Sequence, residues 1–312
     1  MSGREGMSAI RADGLRKVFG SKVAVDSVSF EVPRGEVFGF LGPNGAGKTT
    51  TLRMLLGLIP RTGGSAQVLG LDPAREAPRL RSSLGYVSQL HSLYADLSVA
   101  ENLRFFARIY GLNGRDALSA IERVVDKFGL AESLSGRVAA QPTGVRRRAA
   151  LAAALLHDPE LLILDEPTSG MDPGSRRRLW SFLGGLVDEG KTVVVTTHHL
   201  EEVEACDRVA LMLSGRLVFT GGPQEMRSSY GESVLEVRAA EWDRAFVLLK
   251  GWYGASLAGR AVRVDPRRAR SEEIHSRLAE EGLSDVRVEQ KTPSLEDAFV
   301  RLAEQELANE RE

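Results

Sequence analysis

The amino-acid sequence predicts an α/β protein with a smaller second domain, and three observations lead to that prediction. Short apolar runs alternate with helical segments along most of the chain, which is typical of a mostly parallel sheet covered on both faces. A glycine-rich loop at residues 42–50 follows a buried run and opens a helix. Beyond Gly222 the segments follow the order β-α-β-β-α-β plus a helix, which indicates a small ferredoxin-like α+β domain.

The composition limits the functions that are open to this chain of 312 residues, a length that corresponds to about two domains. Hydrophobic residues make up 43% and charged residues 27%, and the net charge of −1 gives no argument for a nucleic-acid partner. The single cysteine, Cys206, excludes an internal disulfide and fits a reducing compartment. There is no run of roughly 18 apolar residues and no apolar signal core in residues 1–14, so we expect a soluble, cytoplasmic protein that reaches a membrane only through a partner.

The predicted segments follow one another as in an α/β domain that carries a helical insertion. Strands are expected at residues 8–32 (two strands), 36–41, 65–69, 84–89, 161–167, 191–199, 208–213 and 216–221. Helices are expected after residue 48 and at residues 99–112, 116–130, 145–157, 173–190 and 200–206. The helices between about residues 90 and 145 interrupt the alternation, so we expect them to form a helical subdomain.

The second domain is predicted from a change in the pattern after Gly221, Gly222 and Pro223. Its strands are expected at residues 233–239, 255–259, 261–265 and 285–291. Its helices are expected at residues 241–250, 271–282 and 294–308.

The stretch Gly42–Thr50 reads GPNGAGKTT and matches the phosphate-binding pattern of Gly, four residues, Gly, Lys and Ser or Thr. Its glycines let backbone N–H groups turn inward around a polyphosphate, and the following helix points its positive end at the same anion. Lys48 supplies a cation for the β- and γ-phosphates, and the Thr49 hydroxyl can ligate Mg²⁺. We therefore expect nucleotide contacts from the whole loop: Gly42, Pro43, Asn44, Gly45, Ala46, Gly47, Lys48, Thr49 and Thr50.

A second nucleotide signal is the apolar run LLILDE, which ends in Asp165 and Glu166. Asp165 can hold Mg²⁺, and Glu166 can act as a general base or orient the attacking water. Two acids at a strand end are common, but about 115 residues after a phosphate loop they become a strong signal. Gln89 and His198 also follow predicted strands, and ligand-binding residues of such sheets lie at the carboxyl ends of the strands. His91, His157 and His275 show no metal-binding spacing.

Together these residues resemble the nucleotide-binding domain of ATP-binding-cassette (ABC) transporters. GPNGAGKTT is similar to the Walker A motif of that family, LLILDEP to Walker B with its catalytic glutamate, and SGMD, which ends at Asp172, to the D-loop. Gln89 matches the Q-loop glutamine, His198 the switch histidine, and Phe19 the aromatic residue that stacks on adenine. The resemblance implies a P-loop NTPase domain of ABC type at residues 8–230 and an accessory domain at residues 231–312.

The resemblance also implies the activity and the partners. It implies a subunit that binds and hydrolyses MgATP, pairs with a second ATP-binding subunit, and drives a separately encoded membrane permease from the cytoplasmic face of the membrane. The tail PSLEDAFVRL looks like the end of daunorubicin-resistance-type exporter ATPases, which favours export of drugs, lipids or other hydrophobic compounds, although the tail also fits an ordinary amphipathic helix capped by Ser294. The implied catalytic residues are Glu166 and His198, the metal ligands Thr49, Gln89 and Asp165, and the further ATP contacts Phe19, Gln89, Gly144, Asp165 and Asp172.

One motif departs from the family. The signature motif, typically LSGGQ, reaches across a head-to-tail dimer to the γ-phosphate of the other subunit, and here its place reads QPTGV. Gly144 is retained, but Pro142 supplies neither the serine hydroxyl nor a backbone N–H. The motif is therefore either degenerate, and the subunit functionally asymmetric, or a tolerated variant in which Thr143 and the helix dipole suffice.

Two other functions are weighed against transport. A soluble ABC protein of translation or DNA repair usually has two cassettes or a long coiled coil, and this chain has neither. A regulatory module that scarcely hydrolyses ATP is suggested by the altered signature, whereas the intact Glu166 and His198 argue against it.

Overall fold

A computed structural model describes residues 8–89, 93–283 and 285–309 of the chain. Residues 1–7, which are half of the N-terminal segment without an apolar signal core, and His91 lie outside the described residues. The chain divides into two compact units between Thr220 and Gly221. Within the described ranges, none of the helices combines the length and the apolar character needed to cross a membrane.

The strands of the larger unit form two sheets, and its helices lie between strands along the sequence. The strands are β1 (Ile10–Phe19), β2 (Lys22–Val32), β3 (Val37–Leu41), β4 (Gly63–Val68), β5 (Leu84–Val87), β6 (Leu161–Asp165), β7 (Thr192–Thr197), β8 (Arg208–Leu213) and β9 (Arg216–Gly221). The helices are α1 (Lys48–Leu55), α2 (Ala77–Arg81), α3 (Val99–Ile109), α4 (Gly114–Phe128), α5 (Thr143–Ala154) and α6 (Pro173–Asp188).

The central sheet has six strands in the order β5-β6-β7-β3-β8-β9. β3 pairs in parallel with β7 and β8, and β6 pairs in parallel with β5 and β7. Every residue of β3, β6 and β7 is buried, because both faces of the sheet are covered. The predicted mostly parallel sheet is therefore confirmed, and the carboxyl ends of β3, β5, β6 and β7 lie at one edge.

A smaller antiparallel sheet, in the order β2-β1-β4, carries the aromatic residue of the predicted site. Phe19 is the last residue of β1 and lies opposite Lys22 across a tight turn. Phe30 of β2 packs against Phe38 and Phe40 of β3, with ring centroids 6.1 and 5.1 Å away. The two sheets of the larger unit thus share one hydrophobic core.

The predicted helical insertion, at about residues 90–145, contains α3 and α4, and both contact each other and α5, which follows the insertion in the sequence. Ser98 begins α3 with a capping box, in which its hydroxyl accepts from the Glu101 N–H at 3.2 Å and the Glu101 carboxylate accepts from the Ser98 N–H at 2.8 Å. The Arg123 guanidinium of α4 donates to the Leu156 carbonyl at 2.9 Å and so satisfies a carbonyl just beyond the end of α5.

The smaller unit has the predicted ferredoxin-like order. It consists of α7 (Pro223–Tyr230), β10 (Val234–Ala239), α8 (Trp242–Tyr253), β11 (Ser256–Ala258), β12 (Ala261–Val264), α9 (Ser271–Glu280), β13 (Val286–Lys291) and α10 (Leu295–Asn309). Its antiparallel sheet runs β11-β12-β10-β13 around a core of its own. The Arg301 guanidinium of α10 donates to the Tyr230 carbonyl, so α7 belongs to this unit. The predicted boundary at residue 230 lies at the end of α7, whereas the two units divide before α7, between Thr220 and Gly221.

Some elements differ from the sequence prediction. α2 and α7 were not predicted, because each is short and begins beside a proline that also marks turns. β5 ends at Val87, so Gln89 follows the strand instead of ending it. α5 begins at Thr143, two residues before the predicted start at Val145.

Candidate active site

The loop between β3 and α1 has the backbone that its glycines permit. Gly47, with φ of 104°, is the residue before α1, and a Cβ there would lie 2.7 Å from the Ala24 carbonyl oxygen. Gly42, with φ of 155°, passes so close to the Met212 carbonyl that a side chain would overlap it. Only glycine fits these positions, and the loop therefore turns its backbone toward the edge of the sheet.

Lys48 opens α1, and its side chain folds back over the loop. Nζ donates to the Gly42 carbonyl at 2.7 Å and to the Pro43 carbonyl at 3.0 Å. It also lies 3.7 Å from Glu166 Oε1. Burial lowers the pKa of Lys48 from its ordinary value, while Glu166 and Asp165 oppose that change. The amine therefore lies at the centre of the loop, where an anion would replace carbonyl oxygens as its partner.

The two acids at the end of β6 are held by hydroxyl groups. Asp165 Oδ1 accepts from Thr49 Oγ1 at 3.0 Å and from Thr196 Oγ1 at 2.7 Å. The same Thr196 hydroxyl accepts from the Glu166 N–H at 2.9 Å. Sequence reasoning missed Thr196. A signal was available, since a threonine at the end of the buried run TVVVTT must find a partner for its hydroxyl.

The Glu166 carboxylate contacts two other predicted site residues, Gln89 and His198. Its Oε2 accepts from Gln89 Nε2 at 2.9 Å and lies 3.5 Å from His198 Nδ1. These three side chains follow β6, β5 and β7, whose carboxyl ends meet at this edge.

A cleft with a volume of about 690 Å³ is lined by Lys48, Gln89 and Glu166. The half-exposed Phe19 ring forms part of its wall, and the Lys17 ammonium lies 4.8 Å from the centre of that ring. The predicted residues that line the cleft are Phe19, Asn44, Gly45, Gly47, Lys48, Thr49, Thr50, Gln89 and Glu166. The sequence reasoning missed five further lining residues: Lys22, Val23, Ala24, Ser214 and Gly215. The volume is within the range of small-molecule sites.

Seven predicted site residues are not among those that line this cleft: Gly42, Pro43, Ala46, Gly144, Asp165, Asp172 and His198. Asp172 is the N-cap of α6, where its Oδ1 accepts from the Ser175 N–H at 2.9 Å, and hydrogen bonds from Ser175 hold the pKa of Asp172 below its usual value. Gly144 lies in the first turn of α5, whose N-cap is Pro142 and has no side-chain capping bond. Within a single chain neither residue lines the cleft that holds Lys48.

The arginine run that follows Gly144 resembles a solvated helix face in the sequence, but Arg147 departs from that pattern. Arg146 and Arg148 are exposed, whereas Arg147 is half-buried and donates to the carbonyls of Pro167 and Ser169. Arg147 thus joins the start of α5 to the segment between Glu166 and Asp172. Backbone carbonyls in a connecting loop are not visible as a pattern in the sequence, so nothing in the run itself indicated this contact.

A glycine loop that leads from a parallel strand into a helix, with Asp165 and Glu166 on the neighbouring edge, defines a nucleotide-hydrolysing P-loop protein. The sequence profile of the family described as "ABC transporter" matches residues 25–169. The probable multidrug ABC transporter ATP-binding protein YbhF of Escherichia coli is 46% identical over 228 residues, which cover 73% of this chain and 39% of that protein. The Nod factor export ATP-binding protein I of Bradyrhizobium diazoefficiens is 37% identical over 302 residues, with 96% and 97% of the two chains covered.

Among solved structures, one described as the ATP-binding subunit of an ABC transporter is 27% identical, with a TM-score of 0.66, and covers 72% of this chain and 94% of its own. The chain belongs to the ABC transporter family, and the proteins to which it is similar are described as ATP-binding proteins or subunits of that family. The expected α/β fold of P-loop type is confirmed by these likenesses.

Proposed function

We propose that this chain hydrolyses MgATP in the cleft described above, pairs with a second ATP-binding subunit, and drives a separately encoded membrane permease that exports its substrate. The observation that carries the proposal is the convergence on Glu166 of Gln89 and His198, beside a glycine loop with a buried lysine. An arrangement of base, orienting groups and phosphate loop is what ATP hydrolysis requires.

Glu166 serves as the general base in this proposal. Its Oε2 lies between Gln89 Nε2 and His198 Nδ1, so the carboxylate is oriented before a water molecule arrives. Lys48 exchanges its carbonyl partners for phosphate oxygens, and His198 contacts the γ-phosphate. Phe19 stacks on adenine, since its exposed ring faces the same cleft.

Thr49 and Asp165 are the residues that fit Mg²⁺. Their oxygens lie 3.0 Å apart, and hydroxyl and carboxylate oxygens are the ligands that this ion prefers. Within the described ranges there is no group of three or more His, Cys, Asp or Glu side chains able to hold a metal by itself, which agrees with an ion held partly by phosphate and water oxygens. When bound, the ion neutralises charge on the phosphates. Gln89, the third predicted ligand, donates to Glu166 Oε2 at 2.9 Å.

An apolar cleft in the larger unit supports a permease partner. Its volume is about 540 Å³, and it is lined by Leu56, Leu58, Pro78, Arg81, Ser82, Leu84, Tyr86, Ser88, Phe106, Ile109 and Tyr110. Leu58 is 46% and Ile109 58% exposed, so apolar surface is open to a partner here. Ser88 lines this cleft and Gln89 the nucleotide cleft, so a helix docked in the apolar cleft would lie one residue from the group that orients Glu166.

We propose that the chain acts in export and lies on the cytoplasmic face of the membrane, bound to the permease. One relative is named for multidrug transport and another for export of Nod factor, and we propose a hydrophobic or amphipathic compound as the exported substrate of this chain. The chain spans 39% of the length of the first of these relatives, and the proposal covers the ATP-binding subunit alone.

The test is the ATPase activity of the chain assembled with its permease, measured for wild type and for Glu166→Gln. The substitution keeps the shape and removes the base, so turnover should fall on the order of 10²-fold or more while MgATP still binds. Activity that survives the substitution assigns the base elsewhere. Association with ribosomes or DNA in place of a membrane protein would favour a non-transport ABC protein.

A further inference from the structure

A buried ion pair outside the nucleotide cleft connects two segments that the proposed mechanism uses. The Glu202 side chain is 1% exposed, and its Oε1 lies 3.4 Å from Arg176 Nε. Both of these atoms are buried and have no hydrogen-bond partner elsewhere in the described part of the chain. Each therefore depends on the other, because an unpaired buried charge is strongly unfavourable.

The second carboxylate oxygen of Glu202 holds the turn that carries His198. Glu202 Oε2 accepts from Thr197 Oγ1 at 2.6 Å, and the same hydroxyl accepts from the His199 N–H at 3.0 Å. Thr197 ends β7, and His198 follows it directly. The backbone on both sides of His198 is thus fixed by one hydroxyl, which is itself oriented by Glu202.

Arg176 connects this turn to the start of α6. Its backbone N–H donates to the Asp172 carbonyl at 3.0 Å, so it lies in the first turn after the N-cap. The segment from Glu166 to Asp172 leads into this helix through turns at Ser169 and Met171. The contacts form a closed ring, from Glu166 along the chain to Asp172 and Arg176, across to Glu202 and Thr197, and back through His198 to Glu166.

We propose that Glu202 is a positioning residue for ATP hydrolysis. Through its contacts with Thr197 and Arg176 it fixes the position of His198 relative to the start of α6. The inference rests on the proposed role of His198 at the γ-phosphate. Glu202 touches neither nucleotide nor the reacting atoms. Its effect is exerted on where His198 lies relative to Glu166, and displacements of about 1 Å in such groups lower rates by about 10²-fold.

The experiment uses the full chain assembled with its permease, with the variants Glu202→Gln, Arg176→Met and the double substitution. Each single variant should lower kcat by about 10- to 100-fold with little change in KM for ATP, because the nucleotide contacts are intact. The double variant should be no slower than the slower single variant, because both substitutions break the same link. Glu201→Gln is the matched control, since Glu201 lies 3.6 Å from Arg176 but is 88% exposed, and it should retain wild-type kcat.

A second measurement separates positioning from loss of folding. The NMR signals of His198, assigned through His198→Gln, should move in Glu202→Gln and Arg176→Met and stay in place in Glu201→Gln. Wild-type kcat in the single variants would overturn the inference, and so would a double variant that recovers wild-type kcat, since the loss would then come from the unpaired charge. If the assembled wild-type chain has no ATPase activity, the proposed function is overturned. If the wild type is active and Glu202→Gln is equally active, only the inference about Glu202 is overturned.

Discussion

Glu166 adopts a backbone conformation that residues other than glycine seldom adopt. Its φ is 48°, in the left-handed region, where such residues cost about 1–3 kcal/mol each. The Thr196 hydroxyl offsets part of that cost, because it accepts from the Glu166 N–H and donates to Asp165 Oδ1. One side chain on the neighbouring strand therefore sets the direction of both acids, and strain at this position directs the Glu166 carboxylate toward Gln89 and His198.

Lys48 permits a test of the nucleotide site that does not depend on assembly. Lys48→Ala removes the cation that faces the phosphates, and the thermal stabilisation by saturating MgATP should disappear. Lys127→Ala is the control, because Lys127 pairs with Glu189 on the surface and should keep the full stabilisation. Equal stabilisation of Lys48→Ala and wild type, measured by calorimetry, would contradict the assignment.

At the residue scale, the sequence predicted which residues form the site better than it predicted the contacts between them. Phe19, Lys48 and Gln89 line one cleft as expected, since motif spacing and strand ends determine where such residues lie. Thr196 and Arg147 were missed because their partners are backbone atoms or side chains on other elements. Such contacts depend on how strands and loops come together in three dimensions, and one sequence carries no pattern for them.

His157 lies at an element junction, just beyond the end of α5. Its ring stacks on Tyr110 with centroids 3.7 Å apart, and Nε2 lies 3.2 Å from the Leu84 carbonyl oxygen at the start of β5. Nδ1 is buried without a hydrogen-bond partner in the described residues, so a second proton would have no acceptor. Burial lowers the pKa of His157 to about 4, and the helical insertion is thus anchored to the sheet by a neutral histidine.

This histidine predicts a loss of stability in mild acid. The unfolded chain binds a proton near the ordinary pKa of 6.5, while the folded chain binds it near about 4, so stability is full above 6.5 and falls as the pH drops toward 4. After allowance for solvent screening we expect His157 to contribute about 1–2 kcal/mol to this fall. Urea unfolding at pH 7 and pH 5 should show a smaller fall in His157→Phe, and the exposed His275→Gln should behave as wild type. An identical pH dependence in His157→Phe would contradict the role of burial.

The apolar cleft beside α3 predicts where assembly can be broken. Ile109→Glu places an unpaired charge where a partner's apolar surface would be buried, so the permease should no longer copurify and MgATP binding should be retained. Leu118→Glu is the matched control, because Leu118 on α4 is 59% exposed, nearly the same as Ile109, and does not line the cleft. Copurification of the permease with Ile109→Glu at the wild-type level would place the docking surface elsewhere.

At the element scale, the sequence was most informative where burial is complete. β3, β6 and β7 are continuous apolar runs, and such runs between turn signals leave few alternatives. α2 and α7 were missed because a helix of one or two turns has too few residues for a 3.6-residue period to be distinguished from a polar loop. α7 is held by its contact with α10, which lies far away in the sequence.

The division of the chain predicts how it can be shortened. A chain that ends at Gly221 should fold and keep its stabilisation by MgATP, because the cleft residues all lie in the larger unit. A chain that ends at Tyr230 retains α7 without α10, so the buried Met226 and Tyr230 would be exposed and the product should aggregate more readily. We expect the chain that ends at Gly221 to assemble poorly with its permease or with a second copy of itself. Normal assembly and transport by that chain would show the smaller unit to be dispensable.

The signature position QPTGV predicts that the whole assembly is asymmetric. In the proposed head-to-tail dimer, the start of α5 faces the γ-phosphate of the other subunit, and Pro142 has removed a hydroxyl and an N–H donor from it. A hydrogen bond to a charged group is worth about 1.5–3 kcal/mol, so each lost donor weakens that contact roughly 10- to 150-fold. The Thr143 hydroxyl accepts from Arg146 Nη2 at 3.1 Å and remains as a partial substitute.

The catalytic and phosphate-binding residues of this subunit are all present: Lys48, Asp165, Glu166 and His198. ATP hydrolysis in its own cleft therefore needs only a partner subunit with an intact signature motif. The purified chain alone would place the weak signature in both sites of a homodimer, and its ATPase activity should be low. Pro142→Ser/Thr143→Gly should raise that activity about 10-fold or more. Pro142→Ala is the control that restores the backbone N–H without the hydroxyl, so it should recover part of the gain. Brisk turnover of the wild-type chain, unchanged in the double variant, would mean that Thr143, Gly144 and the dipole of α5 already suffice and that a homodimer is competent.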